Sequence, residues 1–215
     1  MSSGKSYLSR QILKNLYQIT YSNESFKETE VIFISKSNES AQLISDICKE
    51  KKFKFNWWKL IHSFEHFFIN DQSNKHTVIL FEDMSGIVNG SNVRFNADMS
   101  QFLFRSRHHN ISLIYIMHGI SHSMNRKTSF ERIFLDNLSG LFVFKPTNNS
   151  KIIYNYLKNF LKHETGKQLD AIFELSANIS PHPYIFMQPN KQTKDDMNKI
   201  RIDIFNKNIF LQSGA

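Results

Sequence analysis

Residues 77–83 read TVILFED, an unbroken run of apolar side chains that ends in two adjacent carboxylates. Uniform apolar character is typical of a strand in a parallel sheet that helices cover on both faces. A similar run, ISLIYIM at residues 111–117, follows a segment at 97–107 in which apolar residues recur at helical spacing. Strands that alternate with helices in this way favour an α/β fold with a mostly parallel sheet.

The rest of the chain extends this alternation. Helical spacing of apolar residues predicts further helices over residues 5–21, 38–51, 57–69, 130–138, 150–162 and 166–175. Short apolar runs predict further strands over residues 30–35, 141–144, 184–187 and 200–205. We expect one domain over residues 1–189, followed by a C-terminal extension over 190–215 with one strand and a frayed end.

The composition excludes several classes of protein. Of the 215 residues, 40% are hydrophobic and 13% aromatic, which is too apolar for a disordered chain. A single cysteine, Cys48, excludes a disulfide scaffold and a cysteine-based zinc cluster within this chain. No apolar run approaches the ~18 residues of a membrane span. We therefore expect an intracellular protein with no membrane partner.

The net charge of +8 has two explanations. A basic protein suits a polyanionic partner such as nucleic acid. Lys, Asn, Ile and Phe are all read from AT-rich codons, however, so a biased genome would raise the lysine content without any such partner. The composition alone does not separate the two.

Residues 2–6, SSGKS, match the second half of the Walker A motif, GxxxxGK[ST]. In that motif, backbone N–H groups at the start of a helix wrap the phosphates of ATP, which assigns Ser3 and Gly4 to the loop. Lys5 would reach the β- and γ-phosphates, and the Ser6 hydroxyl would bind Mg²⁺. The alternative is an ordinary polar N-terminus, because GKS tripeptides arise often by chance.

The first Gly of the motif, and the strand that normally precedes the loop, do not occur in the sequence. In P-loop NTPases of the additional-strand (ASCE) type, that strand is the centre of the sheet, and its loss would split the sheet. We therefore predict an N-terminally truncated version of a longer protein, with an apolar run and a Gly encoded upstream.

The two carboxylates at the end of the apolar run match the Walker B pattern. There, one acid at the end of a strand holds Mg²⁺ and the next activates the attacking water. Glu82 takes the metal position, directly or through water, and Asp83 takes the position of the base. One predicted strand separates this run from Lys5, which is normal for the class. Acids that only cap a strand end are the alternative.

Residues 104–116 read FRSRHHNISLIYI. This stretch resembles the strand-4 region of the DNA-packaging ATPases of the FtsK–HerA superfamily, which occur in poxviruses, other large DNA viruses, virophages and Polinton elements. The family pattern is close to FxRGRHxNISVIYITQ. Residues 141–146, LFVFKP, resemble the next strand of the family. The resemblance covers residues 3 to about 160 and preserves the order and spacing of the motifs.

The resemblance implies an ATP- and Mg²⁺-dependent motor that packages double-stranded DNA into a capsid. Such a motor forms a homo-oligomeric ring and works with capsid or portal-like proteins, in the host cytoplasm or nucleus where virions assemble. It implies that His118, where the family usually has Gln, senses the γ-phosphate. It also implies that Arg107, or as a second choice Arg105, is the arginine finger for the neighbouring subunit.

Other functions stay open. The incomplete Walker A motif, the Glu–Asp order and the histidine at the sensor position together fit a degenerate copy that binds DNA or a capsid partner without turnover. A cellular FtsK–HerA-like helicase or translocase is a further alternative. A nucleotide kinase is disfavoured, because its arginine-rich lid would find only Arg126 within residues 119–129.

Two groups of side chains are interpreted as structural. His62 and His66 are four residues apart, which suits a packed or surface helix better than a metal site. The aromatic group at Trp57, Trp58, Phe64, Phe67 and Phe68 could stack on bases, but its helical spacing favours a core.

Overall fold

The computed structural model describes residues 4–16, 28–59, 75–82, 93–116, 141–144, 174 and 184–187. The chain divides into two compact units, one over Lys5–Asn137 and the other over Met1–Gly4 with Leu138–Ala215. Within the described part, no helix is long and apolar enough to span a bilayer.

The described part of the first unit contains three helices, a short 3₁₀ turn and four strands. Its elements are α1 (Lys5–Lys14), β1 (Glu28–Ile34), α2 (Asn38–Lys51), β2 (Lys54–Trp58), β3 (Lys75–Glu82), α3 (Val93–Ser106), a short 3₁₀ turn (Arg107–His109) and β4 (Ile111–Ile116). In the second unit, β5 (Leu141–Phe144) pairs antiparallel with β6 (Tyr184–Met187).

The strands of the first unit form one sheet in the order β2-β1-β3-β4, and every pair is parallel. Glu82, the last residue of β3, pairs with Ile116, the last residue of β4. The four carboxyl ends therefore lie along one edge of the sheet, and the amino ends lie along the other. This parallel sheet with its helices confirms the predicted α/β class.

Both faces of the sheet are covered, as the apolar character of its strands predicts. On one face, α1 and α2 pack on the sheet in a single core cluster that contains Leu13, Leu16, Val31, Phe33, Ala41, Ile44, Ile47, Cys48, Val78, Leu80 and Ile116. On the other face, Ile79 and Phe81 are fully buried, and the Phe81 ring meets Tyr115 edge to face with 6.2 Å between centroids. The central strands therefore have no solvent-facing side.

The bounds of α2 follow from capping. The Ser37 hydroxyl accepts the Ser40 N–H at 3.1 Å, which satisfies one of the open donors at the start of the helix. At the other end, Lys52 adopts the left-handed conformation, φ 59°, and its N–H bonds back to the last turn. The predicted helix over 38–51 is confirmed at both ends.

The start of one predicted helix is wrong. Trp57 and Trp58, predicted to begin a helix over 57–69, belong to β2, because β2 pairs in parallel with β1 and aromatic side chains suit a half-buried strand. Consequently the described residues between Lys5 and Glu82 include two strands, β1 and β2, where one strand is predicted. Residues 60–69 of the predicted helix lie outside the described residues.

Some of the other predicted elements differ from the structure only in where they begin, and others lie outside the described residues. The strand predicted over 30–35 begins earlier, at Glu28, and the helix predicted over 97–107 begins at Val93. The predicted helices over 130–138 and 150–162 and the strand over 200–205 lie outside the described residues. So does the helix over 166–175, apart from Glu174, which is helical.

A buried histidine makes the fold sensitive to acid. His76 on β3 is fully buried, and its Nε2 lies 2.9 Å from the Oγ of Ser112 on β4. Burial lowers the pKa of His76 from 6.5 to about 4, because it disfavours the charged imidazolium. The folded state therefore favours the neutral ring. The contribution of His76 to the free energy of unfolding is complete above pH 6.5 and is lost as the pH falls through about 4.

We expect His76→Gln to remove this pH dependence. Between pH 7 and pH 4 the wild-type protein should lose about 3 kcal/mol more free energy of unfolding than the variant, since the variant has no proton to take up at this position. Urea denaturation at the two pH values measures the difference. Equal losses in both proteins would contradict the effect.

Candidate functional site

The candidate site lies at the carboxyl edge of the sheet, between β1 and β3. From β1 the chain crosses to β2 on one side, and from β3 it crosses to β4 on the other. Neighbouring strands whose connections diverge leave a crevice beyond their carboxyl ends, which is where open α/β sheets bind ligands. Ser35 directly follows β1 at this crevice, and Glu82 ends β3 there.

Two hydroxyls bind the carboxylate of Glu82. The Ser6 hydroxyl, from the second residue of α1, donates to Oε1 at 3.0 Å across 76 residues of sequence. The Ser35 hydroxyl donates to Oε2 at 3.3 Å. Glu82 is only 8% exposed, so both of its oxygens are held in a largely buried setting. The structure thus brings together Ser6 and Glu82, the two residues predicted to bind the metal.

The start of α1 favours a negatively charged ligand. Gly4, directly before the helix, has φ 76°, a left-handed conformation that glycine adopts without steric cost. Lys5 is the first residue of α1, and the first turn itself contains no acidic residue, so the Glu82 carboxylate on Ser6 is the acid described beside the positive end of the helix dipole. Burial lowers the pKa of the Lys5 ammonium. A phosphate here would compensate both the lysine and the helix end.

A cavity of about 210 Å³ adjoins the Ser6–Glu82 pair, between α1, α2 and the sheet. Its polar lining residues are Ser6, Ser9, Arg10, Glu39, Ser40 and Glu82. Its apolar lining comprises Phe33, Leu43, Ile44, Leu80 and Ile116. Arg10 is anchored through its Nε, which donates to the Ser6 carbonyl at 3.0 Å. The cavity can hold water or part of a small ligand beside the carboxylate.

Sequence reasoning missed two residues of this region, Ser35 and Arg10. Arg10 lies four positions after Ser6 and so shares its helix face, a spacing that could have drawn attention to it. Ser35 comes directly after the β1 run, at the same kind of strand end as the carboxylates after β3. Its proximity to Glu82 depends on the neighbouring positions of β1 and β3 in the sheet, which the sequence does not display.

Arg107, the residue predicted as an arginine finger, is described and does not lie at this edge of the sheet. Arg107 begins the 3₁₀ turn that leads into the amino end of β4, whereas Glu82 lies at the carboxyl edge. The backbone therefore places Arg107 at the opposite edge of the sheet, so its role as a finger for a neighbouring subunit stays a prediction. Ser3, Asp83 and His118 lie outside the described residues.

The donor atoms suit Mg²⁺. A hydroxyl and a carboxylate supply hard oxygen ligands, and Mg²⁺ in nucleotide sites is usually held by one or two carboxylates together with phosphate and water. Over the described residues, no group of three or more His, Cys, Asp or Glu side chains is placed to hold a metal by itself. Ser6 and Glu82 thus fit a cation that arrives with a phosphate ligand.

No family model, curated protein or solved structure matches this chain. The function is therefore inferred from the chemistry of the Ser6–Glu82 site and from the sequence motifs to which these residues belong.

Proposed function

We propose that this chain is a Mg²⁺-dependent P-loop ATPase that moves double-stranded DNA, as a packaging motor for a viral or transposon genome. One observation carries the nucleotide site: the Ser6 hydroxyl and the Glu82 carboxylate lie 3.0 Å apart at the carboxyl edge of a parallel sheet. Residues from the two predicted phosphate- and metal-binding motifs thus meet, although their motifs were identified independently in the sequence.

Each residue of the site has a distinct part in this proposal. Lys5 holds the β- and γ-phosphates with its ammonium group, and Gly4 allows the backbone to approach them closely. The Ser6 hydroxyl and Glu82 bind the cation. Mg²⁺ held by these two residues would supply charge neutralisation at the phosphates during displacement at phosphorus. Asp83, the next residue after β3, accepts a hydrogen bond from the attacking water and orients it.

The DNA-directed part of the proposal is supported by residues 104–116 and their resemblance to packaging ATPases. Arg107 would act on the nucleotide of a neighbouring subunit in a homo-oligomeric ring, and His118 would contact the γ-phosphate. The net charge of +8 is compatible with a DNA partner. Capsid or portal-like proteins are the further partners that this function requires.

A thermal-shift measurement tests the nucleotide site. At a ligand concentration about 100 times Kd, binding should add about 2.7 kcal/mol of stability, which raises Tm by roughly 5–10 °C for a protein of this size. We expect this rise with ATP and Mg²⁺ and a smaller one with ATP and EDTA. Glu82→Gln should remove the Mg²⁺-dependent part, because the amide keeps the shape of the side chain but not its charge.

A hydrolysis assay with and without double-stranded DNA completes the test. Stimulation of phosphate release by DNA supports a translocating ATPase. A Tm rise without any release of phosphate would instead favour the non-hydrolysing binding module. No Tm rise with ATP under either condition would refute the proposed function.

A further inference from the structure

We propose that Ser35 is a positioning residue that aims the Glu82 carboxylate at the cation, and that the edge strand β2 supports it through Trp57. This inference rests on the proposed function, because it concerns the same Mg²⁺ site. It assigns a role to two residues that belong to neither of the two predicted motifs.

All polar groups of Ser35 are engaged. Its N–H donates to the Trp58 carbonyl at 3.1 Å, and its carbonyl accepts the Trp57 indole N–H at 2.9 Å. Its hydroxyl accepts the Ser37 N–H at 3.0 Å and donates its one proton to Glu82 Oε2 at 3.3 Å. Ser35 is also only 2% exposed. Its side chain is therefore fixed in a single orientation before any ligand arrives.

Each oxygen of the Glu82 carboxylate is bound by a hydroxyl from a different element. Ser35 comes from the end of β1 and binds Oε2, whereas Ser6 comes from α1 and binds Oε1. Glu82 has one more rotatable bond than the aspartate that usually stands at this position, so it has more side-chain freedom to lose on binding. Anchoring Oε2 removes that freedom and leaves Oε1 beside Ser6, where a cation would meet both ligands.

Trp57 extends the support to the edge of the sheet. Besides its bond to the Ser35 carbonyl, its ring lies 5.0 Å from the Lys59 ammonium. A continuous series of contacts thus runs from β2 through Ser35 to the carboxylate. Partners that orient a metal ligand typically change metal affinity by about 10–100-fold when they are removed.

Binding of a non-hydrolysable ATP analogue, measured by calorimetry in EDTA and in Mg²⁺, tests the role of Ser35. The ratio of the affinity in Mg²⁺ to the affinity in EDTA measures how much the metal contributes to binding. We expect Ser35→Ala to lower this ratio by about 10–100-fold while the affinity in EDTA stays within about twofold of wild type. Ser35→Thr, which keeps the hydroxyl, should restore most of the ratio.

Ser37→Ala is the matched control. It removes a nearby hydroxyl that caps α2 through Ser40 and does not contact Glu82 in the described hydrogen bonds. It should reduce the melting temperature without changing the ratio. Trp57→Phe provides an independent variant, because it removes the indole N–H and keeps an aromatic ring, and it should lower the ratio by less than Ser35→Ala does.

The outcomes distinguish this inference from the proposed function. A normal ratio in Ser35→Ala, or an equal loss of affinity in EDTA and in Mg²⁺, overturns the positioning role and leaves the nucleotide site intact. Failure of the wild-type protein to bind the analogue overturns the proposed function and the positioning role together. A loss confined to the Mg²⁺ condition supports the role.

Discussion

Lys5→Ala should reduce ATP hydrolysis by about 10²–10³-fold, the usual effect of removing one group that stabilises charge in a transition state. Lys5 is the first residue of α1, four positions before Ser9 and next to Ser6, whose hydroxyl binds Glu82. In the proposed site, its ammonium group binds the β- and γ-phosphates. Steady-state phosphate release, with saturating ATP and Mg²⁺, measures the effect.

The same substitution should not weaken the ligand-free fold. Burial lowers the pKa of Lys5, which means that the folded protein disfavours its charge. Removing that charge should therefore leave the melting temperature without ligand unchanged or slightly higher. Lys14→Ala, at an exposed position in the last turn of the same helix, is the matched control and should keep full activity. Equal turnover in wild type and Lys5→Ala would refute the assignment of the phosphate loop.

Lys75→Met should cost about 3–5 kcal/mol of stability, because it leaves a buried carboxylate without its counter-ion. Lys75 at the start of β3 forms an ion pair with Glu30 on β1, and their side chains are 12% and 10% exposed. The Asn56 amide on β2 also donates to Glu30, so the carboxylate ties three neighbouring strands together at the amino end of the sheet. Urea denaturation at pH 7 measures the loss.

A double variant and a surface variant serve as controls. Glu30→Met combined with Lys75→Met should recover much of the lost stability, since it also removes the buried carboxylate that has no counter-ion. Lys49→Met breaks a pair with Asp46 at 3.6 Å whose side chains are 72% and 56% exposed, and it should change stability by less than about 1 kcal/mol. A similar cost for Lys49→Met and Lys75→Met would contradict the role of burial.

The parts of the fold that sequence patterns predicted well are those set by local chemistry. Residues 77–82 and 111–116 are strands because they are uniformly apolar, and α2 begins where Ser37 caps it. The segment KFNWW at 54–58 was missed because it is short and mixes Lys and Asn with aromatics. Its strand conformation comes from pairing with β1, which is a tertiary interaction.

The same difference between local chemistry and tertiary interactions applies to the candidate site. Ser6 and Glu82 could be predicted because each belongs to a local motif with a recognisable chemistry. Ser35 could not, because its contact with Glu82 follows from the strand order, which places β1 next to β3 although β2 lies between them in sequence. Hydrophobic periodicity marks strands but does not order them.

The strand order also has a consequence for synthesis on the ribosome. Only β1 and β2 can pair early, because β1 next requires β3, and β4 has no described neighbour except β3. In the order of synthesis, β2 can join β1 on one side first, and β3 and then β4 can join on the other side later. Parallel pairs between distant segments form slowly. We therefore expect the nascent chain to expose apolar strand residues until Ile116 has left the exit tunnel, which is a state that favours aggregation and chaperone binding.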